Sequence, residues 1–108
     1  MIESEFQSNL ITNIEDRLPG SIILKNDAKY KRGIPDLLVL YNDRWAALEC
    51  KKHEKASKRP LQDYYVTRMN KMSFARFIRP ENEKEVLDEM ENTLRSSRTA
   101  RVSRRKQA

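Results

Sequence analysis

At 108 residues the chain has the size of one domain, with 35% charged and 38% hydrophobic residues, the balance of a polar globule with a small core. It holds no run of about 18 apolar residues, so no membrane-spanning helix is expected, and its acidic start lacks the basic stretch of a signal peptide. The single Cys50 excludes an internal disulfide and, with His53 as the one histidine, a zinc centre; it fits a reducing compartment, the cytoplasm.

Residues 2–18 read as an amphipathic helix, with Ile2, Phe6, Leu10, Ile14 and Leu18 at four-residue spacing, Ile11 beside them, and Pro19-Gly20 ending the run. Helical phase leans Glu3 towards the apolar face and turns Glu5 to solvent. Glu3 is either a carboxylate set against the helix dipole or an additional acidic ligand for a site further along the chain. Ser21 to Lys25 reads as a first strand. Asn26 to Arg32 is then a polar loop carrying Lys29, Tyr30, Lys31 and Arg32, a mixture that suits contact with a phosphate backbone or simply solvent.

Residues 33–52 carry the most information. Two short apolar runs flank Asn42-Asp43, which predicts a β-hairpin with a two-residue turn. That turn sets the register: Tyr41 faces Arg44, Leu40 faces Trp45, and Asp36 faces Glu49. Opposed residues share one face, with Cβ atoms roughly 5 Å apart. Lys51 lies two positions beyond Glu49 and joins the same face. Leu37, Val39, Tyr41, Ala46, Leu48 and Cys50 point the other way, towards a core. Two opposed carboxylates repel, which makes sense if a divalent cation sits between them.

Lys52 to Arg59 is strongly basic, with Lys55 and Lys58 between, and forms a rim beside the acidic patch. Pro60 opens a helix over 60–72 whose expected buried stripe is Leu61, Tyr64 or Tyr65, Met69 and Met72. Gln62 falls near its start, on the side facing the hairpin's end, where it could hold a substrate phosphate or the Lys51 amine. Phe74 to Ile78 is a further strand, expected parallel to the one ending at Lys51. Asn82 with Glu85 resembles a capping box for a last helix, about 83–96, burying Val86, Leu87, Met90 and Leu94. Residues 1–96 thus form one domain. The tail, 97–108, carries Arg98, Arg101, Arg104, Arg105 and Lys106 and no acid, and so holds most of the net charge of +6. It is either a solvated, disordered terminus or an arm for phosphates, with Arg101, Arg104 and Arg105 as its contacts.

The predicted order is α-β-β-β-α-β-α, a mixed sheet flanked by helices. Asp36 and Glu49 would offer a hard cation two carboxylates, and the Cys50 carbonyl a third oxygen. Lys51 would orient or deprotonate a water, or stabilise developing negative charge.

Pro35-Asp36, twelve intervening residues, and Glu49-Cys50-Lys51 resemble the PD-(D/E)XK nuclease motif. Gly33-Ile34-Pro35-Asp36 and the compact length look most like the VRR-NUC branch and like small phage Holliday-junction resolvases. The resemblance implies a restriction-endonuclease-like fold and a Mg²⁺- or Mn²⁺-dependent endonuclease, often a homodimer acting on branched DNA. It implies Asp36 and Glu49 as metal ligands, Lys51 as catalytic, Glu3 as a carboxylate touching a metal or its water, and a role for Gln62. Cys50 stands where such motifs usually carry an aliphatic residue. A catalytically silent nucleic-acid-binding module of the same fold and a protein-interaction domain using the tail are the competing readings. His53 reads as exposed, and Trp45 as packing.

Overall fold

The computed structural model describes residues 2–27, 29–52 and 59–96. Helix α1 (Glu3–Arg17) leads into strands β1 (Ile22–Lys25), β2 (Leu37–Tyr41) and β3 (Arg44–Cys50). Helix α2 (Pro60–Met72), strand β4 (Phe74–Ile78), a 3-10 turn (Pro80–Asn82) and helix α3 (Glu83–Arg95) follow. The expected order and fold class are borne out, with element ends shifted by a residue or two. The sheet runs β1-β2-β3-β4, antiparallel except for the parallel pair β3–β4.

The hairpin register is as expected: Tyr41 pairs with Arg44 and Leu40 with Trp45. Asn42 carries the turn in the left-handed region, at φ 55°, and Asp43 does not share it. Asparagine tolerates this conformation because its short polar side chain bonds locally. Strand alternation then sorts the sheet's two faces. Leu37, Val39, Ala46, Leu48 and Cys50 pack on one face against Phe6, Leu10 and Ile14 of α1 and Val86, Leu87, Met90 and Leu94 of α3. The other face carries Ala47 and Ala75, covered by Val66 of α2 with Met69, Leu38, Trp45 and Phe77 around them. Trp45 is therefore a packing residue. Arg17 fastens α1 to α3 through Asp88 at 2.7 Å and Glu91 at 3.3 Å.

Two expectations are corrected. The helix over 60–72 seats Met69 as expected and half-buries Tyr65 rather than Tyr64, but Leu61 and Met72 are exposed, and Val66, outside the expected stripe, joins Met69 on the sheet. Ala47 and Ala75 leave a narrow apolar seat, which one valine and one methionine fill. Asn82 does not cap α3. Its Oδ1 accepts from the Arg79 N–H at 2.7 Å and its Nδ2 donates to the Phe77 carbonyl, so it closes the 3-10 turn before the helix.

Candidate active site

The end of β3, the segment leading into β2 and the first turn of α2 converge on one cleft. Asp36 precedes β2, and its Oδ2 accepts the Cys50 N–H at 2.9 Å. The Asn26 N–H donates to the Asp36 carbonyl, and the Asn26 side chain to the Pro35 carbonyl, so this segment is pinned beside the end of β1. Glu49 and Lys51 are both buried. Their charged atoms stand 3.9 Å apart.

Gln62 joins them. Its Nε2 donates to Glu49 Oε2 at 2.8 Å, and its Oε1 accepts from Lys51 Nζ at 2.6 Å. The same Oε1 accepts the Arg59 N–H at 3.3 Å, closing the capping box of α2, with Pro60 in its first turn. One amide thus ends a helix and ties an acid to an amine.

Loop 29–34 forms the opposite wall. Gly33 adopts φ +87°, and a Cβ there would stand 2.6 Å from Leu61 Cγ, so only glycine lets the loop lie this close to α2. The cleft, about 410 Å³, is lined by Asp36, Glu49 and Gln62 at its base and by Arg32, Gly33, Ile34, Arg59 and Leu61 around them.

Burial, and after it the Asp36 charge, push the Glu49 carboxyl up to about 8, against the relief given by Lys51. Asp36 is raised too, again by burial first, while the Cys50 N–H and Lys51 oppose it. Glu3 is exposed rather than on a buried edge, yet its charge raises both carboxyls. Cys50 faces the core, and burial pushes its thiol up, which makes it a poor nucleophile.

The donor set suits a hard cation. Two acids share a largely buried site in which Lys51 supplies one compensating charge, and a divalent ion would more than offset the negative charge that remains. Among the described residues no three His, Cys, Asp or Glu side chains converge as a metal centre. The side-chain ligands would be Asp36 and Glu49, with water at other positions, as Mg²⁺ prefers.

The structure brings Asp36, Glu49, Lys51 and Gln62 together, with Glu3 acting at longer range. Lys29, Lys31, Arg32, Lys52 and Arg59 are exposed, and Arg32 and Arg59 line the cleft. His53, Lys55, Lys58 and the tail with Arg101, Arg104 and Arg105 lie outside the described residues. Sequence reasoning missed Ile34 and Leu61 as cleft residues. The signal was present, since an apolar stripe on the helix over 60–72 had two possible directions.

No family model matches the sequence, and no curated protein matches it either. Among solved structures it is similar to a VRR_NUC domain, at 22% identity and a TM-score of 0.64, over 80% of this chain and 94% of that one. Among the described residues no helix is long and apolar enough to cross a membrane. The chain has the fold of a VRR_NUC domain, a restriction-endonuclease-like fold.

Proposed function

We propose that this protein is a divalent-metal-dependent endonuclease that hydrolyses DNA phosphodiester bonds, acts on branched DNA and works as a homodimer in the cytoplasm. The observation that carries the catalytic reading is half-buried Asp36 beside buried Glu49, which Gln62 ties to Lys51, at the base of a cleft edged by Arg32 and Arg59. A protein that only binds phosphates gains nothing from two acids in its groove. Branched DNA and pairing of two chains rest on the resemblance of the motif. The exposed Ile22 and Leu24 on edge strand β1 support association with a second copy.

Asp36 and Glu49, with the Cys50 carbonyl and with Glu3 through a water, would hold Mg²⁺ or Mn²⁺. Bound there, the ion acidifies a water and offsets phosphate charge. Gln62 fixes the Glu49 carboxylate and the Lys51 ammonium relative to each other. Lys51 presents its positive charge to the phosphate oxygens as negative charge builds on them. Arg32 and Arg59, with Lys29, Lys31 and Lys52 beyond them, take the flanking phosphates.

The test is cleavage of a four-way junction, a flap, a nicked duplex and a plain duplex in Mg²⁺. The wild type should cut branched substrates, and Glu49→Ala should lose activity by 10²-fold or more, a rough scale for removing a charge-stabilising group. Lys51→Ala should lose turnover and keep metal binding by calorimetry. Cutting by both wild type and Glu49→Ala would sink the catalytic assignment, and cutting by neither would leave a non-cleaving nucleic-acid-binding module of the same fold as the better reading. Light scattering should return twice the 12.8 kDa chain mass.

A further inference from the structure

The side of α2 turned from the sheet meets only loop 29–34 at its edge and is otherwise open to solvent among the described residues. Leu61, Tyr64 and Arg68 follow one another at three- and four-residue steps and are exposed, with half-buried Tyr65 beside them, between this stripe and the Val66–Met69 side that seats on the sheet. Tyr64 is 48% exposed and Leu61 45%. The two tyrosine rings meet edge to face, 5.1 Å apart at 78°. Arg68 donates to the Tyr64 hydroxyl at 3.0 Å, and its guanidinium lies 5.7 Å from that ring's centre. Across from the helix, Lys31 places its ammonium 6.0 Å from the centre of the Tyr65 ring. Its neighbour Tyr30 is 85% exposed on the same loop, between Lys29 and Lys31.

This arrangement combines exposed aromatic surface with cations over the rings, and it is continuous with the cleft, since Leu61 belongs to both. Asp63 is the acid on the same turn, and it is outnumbered by Lys31, Arg32, Arg59 and Arg68. An apolar stripe framed by cations suits a polyanion with flat apolar parts, which is a nucleic-acid strand with its bases unstacked. Paired bases are stacked on one another and offer no free faces to a tyrosine.

We propose that Tyr64 and Tyr65 of α2, with Tyr30 of the facing loop, form a stacking platform for unpaired nucleotides that leads a single strand into the cleft. Arg68 and Lys31 orient the rings and take phosphates. The platform selects DNA that carries an unpaired segment beside the bond to be cut. The inference deepens the nuclease reading and rests on it for the fate of the strand, but binding is measured without cleavage.

The experiment uses the full chain in EDTA. Anisotropy compares a fluorescein-labelled oligothymidine with a blunt duplex of equal length, and a 2-aminopurine in the single strand reports stacking by quenching. Tyr64→Ala should weaken single-strand binding about tenfold to a hundredfold and relieve the quenching, with duplex affinity kept within about twofold. Tyr64→Phe should restore both, because the ring remains. Adding Tyr30→Ala to Tyr64→Ala should deepen the loss. Equal weakening on both DNAs, or no change on either, overturns the platform. So does a fall in the protein's mass by light scattering on substitution, which would make the stripe a contact between two copies. A protein that never cuts DNA but shows the Tyr64 effect would retain the platform and lose the nuclease reading.

Discussion

Glu49 is the residue at which the cost of the site is measurable. The folded carboxyl takes up its proton at about 8 instead of 4.5, so it binds the proton more tightly than it would in the unfolded chain. The stability it contributes is full below the ordinary value and is lost as pH rises towards about 8. In EDTA, the urea midpoint of the wild type should therefore fall between roughly pH 5 and pH 8 relative to Glu49→Gln, whose amide mimics the protonated form. A difference that stays flat with pH would remove the strained-acid account. Mg²⁺ should raise the wild-type midpoint at pH 8 and leave Glu49→Gln nearly unmoved, since a ligand that binds only the folded state stabilises it by mass action. At the same scale Cys50 is inert: its thiol sits in the core, and a small apolar side chain is what the position needs.

Among elements, the α2 terminus and loop 29–34 are fitted to each other through Gly33. Gly33→Ala must strain a φ of +87° and push a methyl to 2.6 Å from Leu61 Cγ. We expect a loss of ~1–3 kcal/mol in denaturant unfolding, from backbone strain and overpacking together. Adding Leu61→Ala should recover the packing part and leave the strain; no recovery would mean that the close approach is not what glycine is for. The hairpin was legible in the sequence because Asn42-Asp43 fixes the turn and period-two alternation carries the register to Asp36 and Glu49. The parallel β4 was legible from a strand, helix, strand spacing. The direction of α2 was not, because Leu61, Tyr64, Tyr65, Val66, Met69 and Met72 supply more apolar surface than two alanines can seat, and periodicity does not say which part is seated. Asn82 misled for a related reason: Pro80 opens a 3-10 turn ahead of α3, and the asparagine serves that turn. Gly33 carried no local sign of its role, since the approach of α2 comes from residues 28 positions onward.

For the whole molecule, charge is divided between a rim and a tail. Exposed Glu85 and Glu89 of α3 and Glu81 of the 3-10 turn before it are acidic, and the basic character near the cleft comes from Lys29, Lys31, Arg32, Lys52, Arg59 and Arg68. Removing residues 97–108 should reduce the slope of log affinity against log salt for duplex DNA by up to about 4.5, from five lost cations at ~0.9 each. Single-turnover cleavage at saturating enzyme should be unchanged. An unaltered slope would show that the tail makes no phosphate contacts.

Gln62 has a consequence at this scale as well. The amide that terminates α2 is also the clasp between Glu49 and Lys51, so the helix cannot fray at its first turn while these two side chains stay joined through it. On the proposed function the arrangement would act as an interlock: a chain whose α2 is unwound, whether newly made or warmed, would be disarmed before its sheet comes apart. Cutting should then cease at a temperature below the main thermal transition.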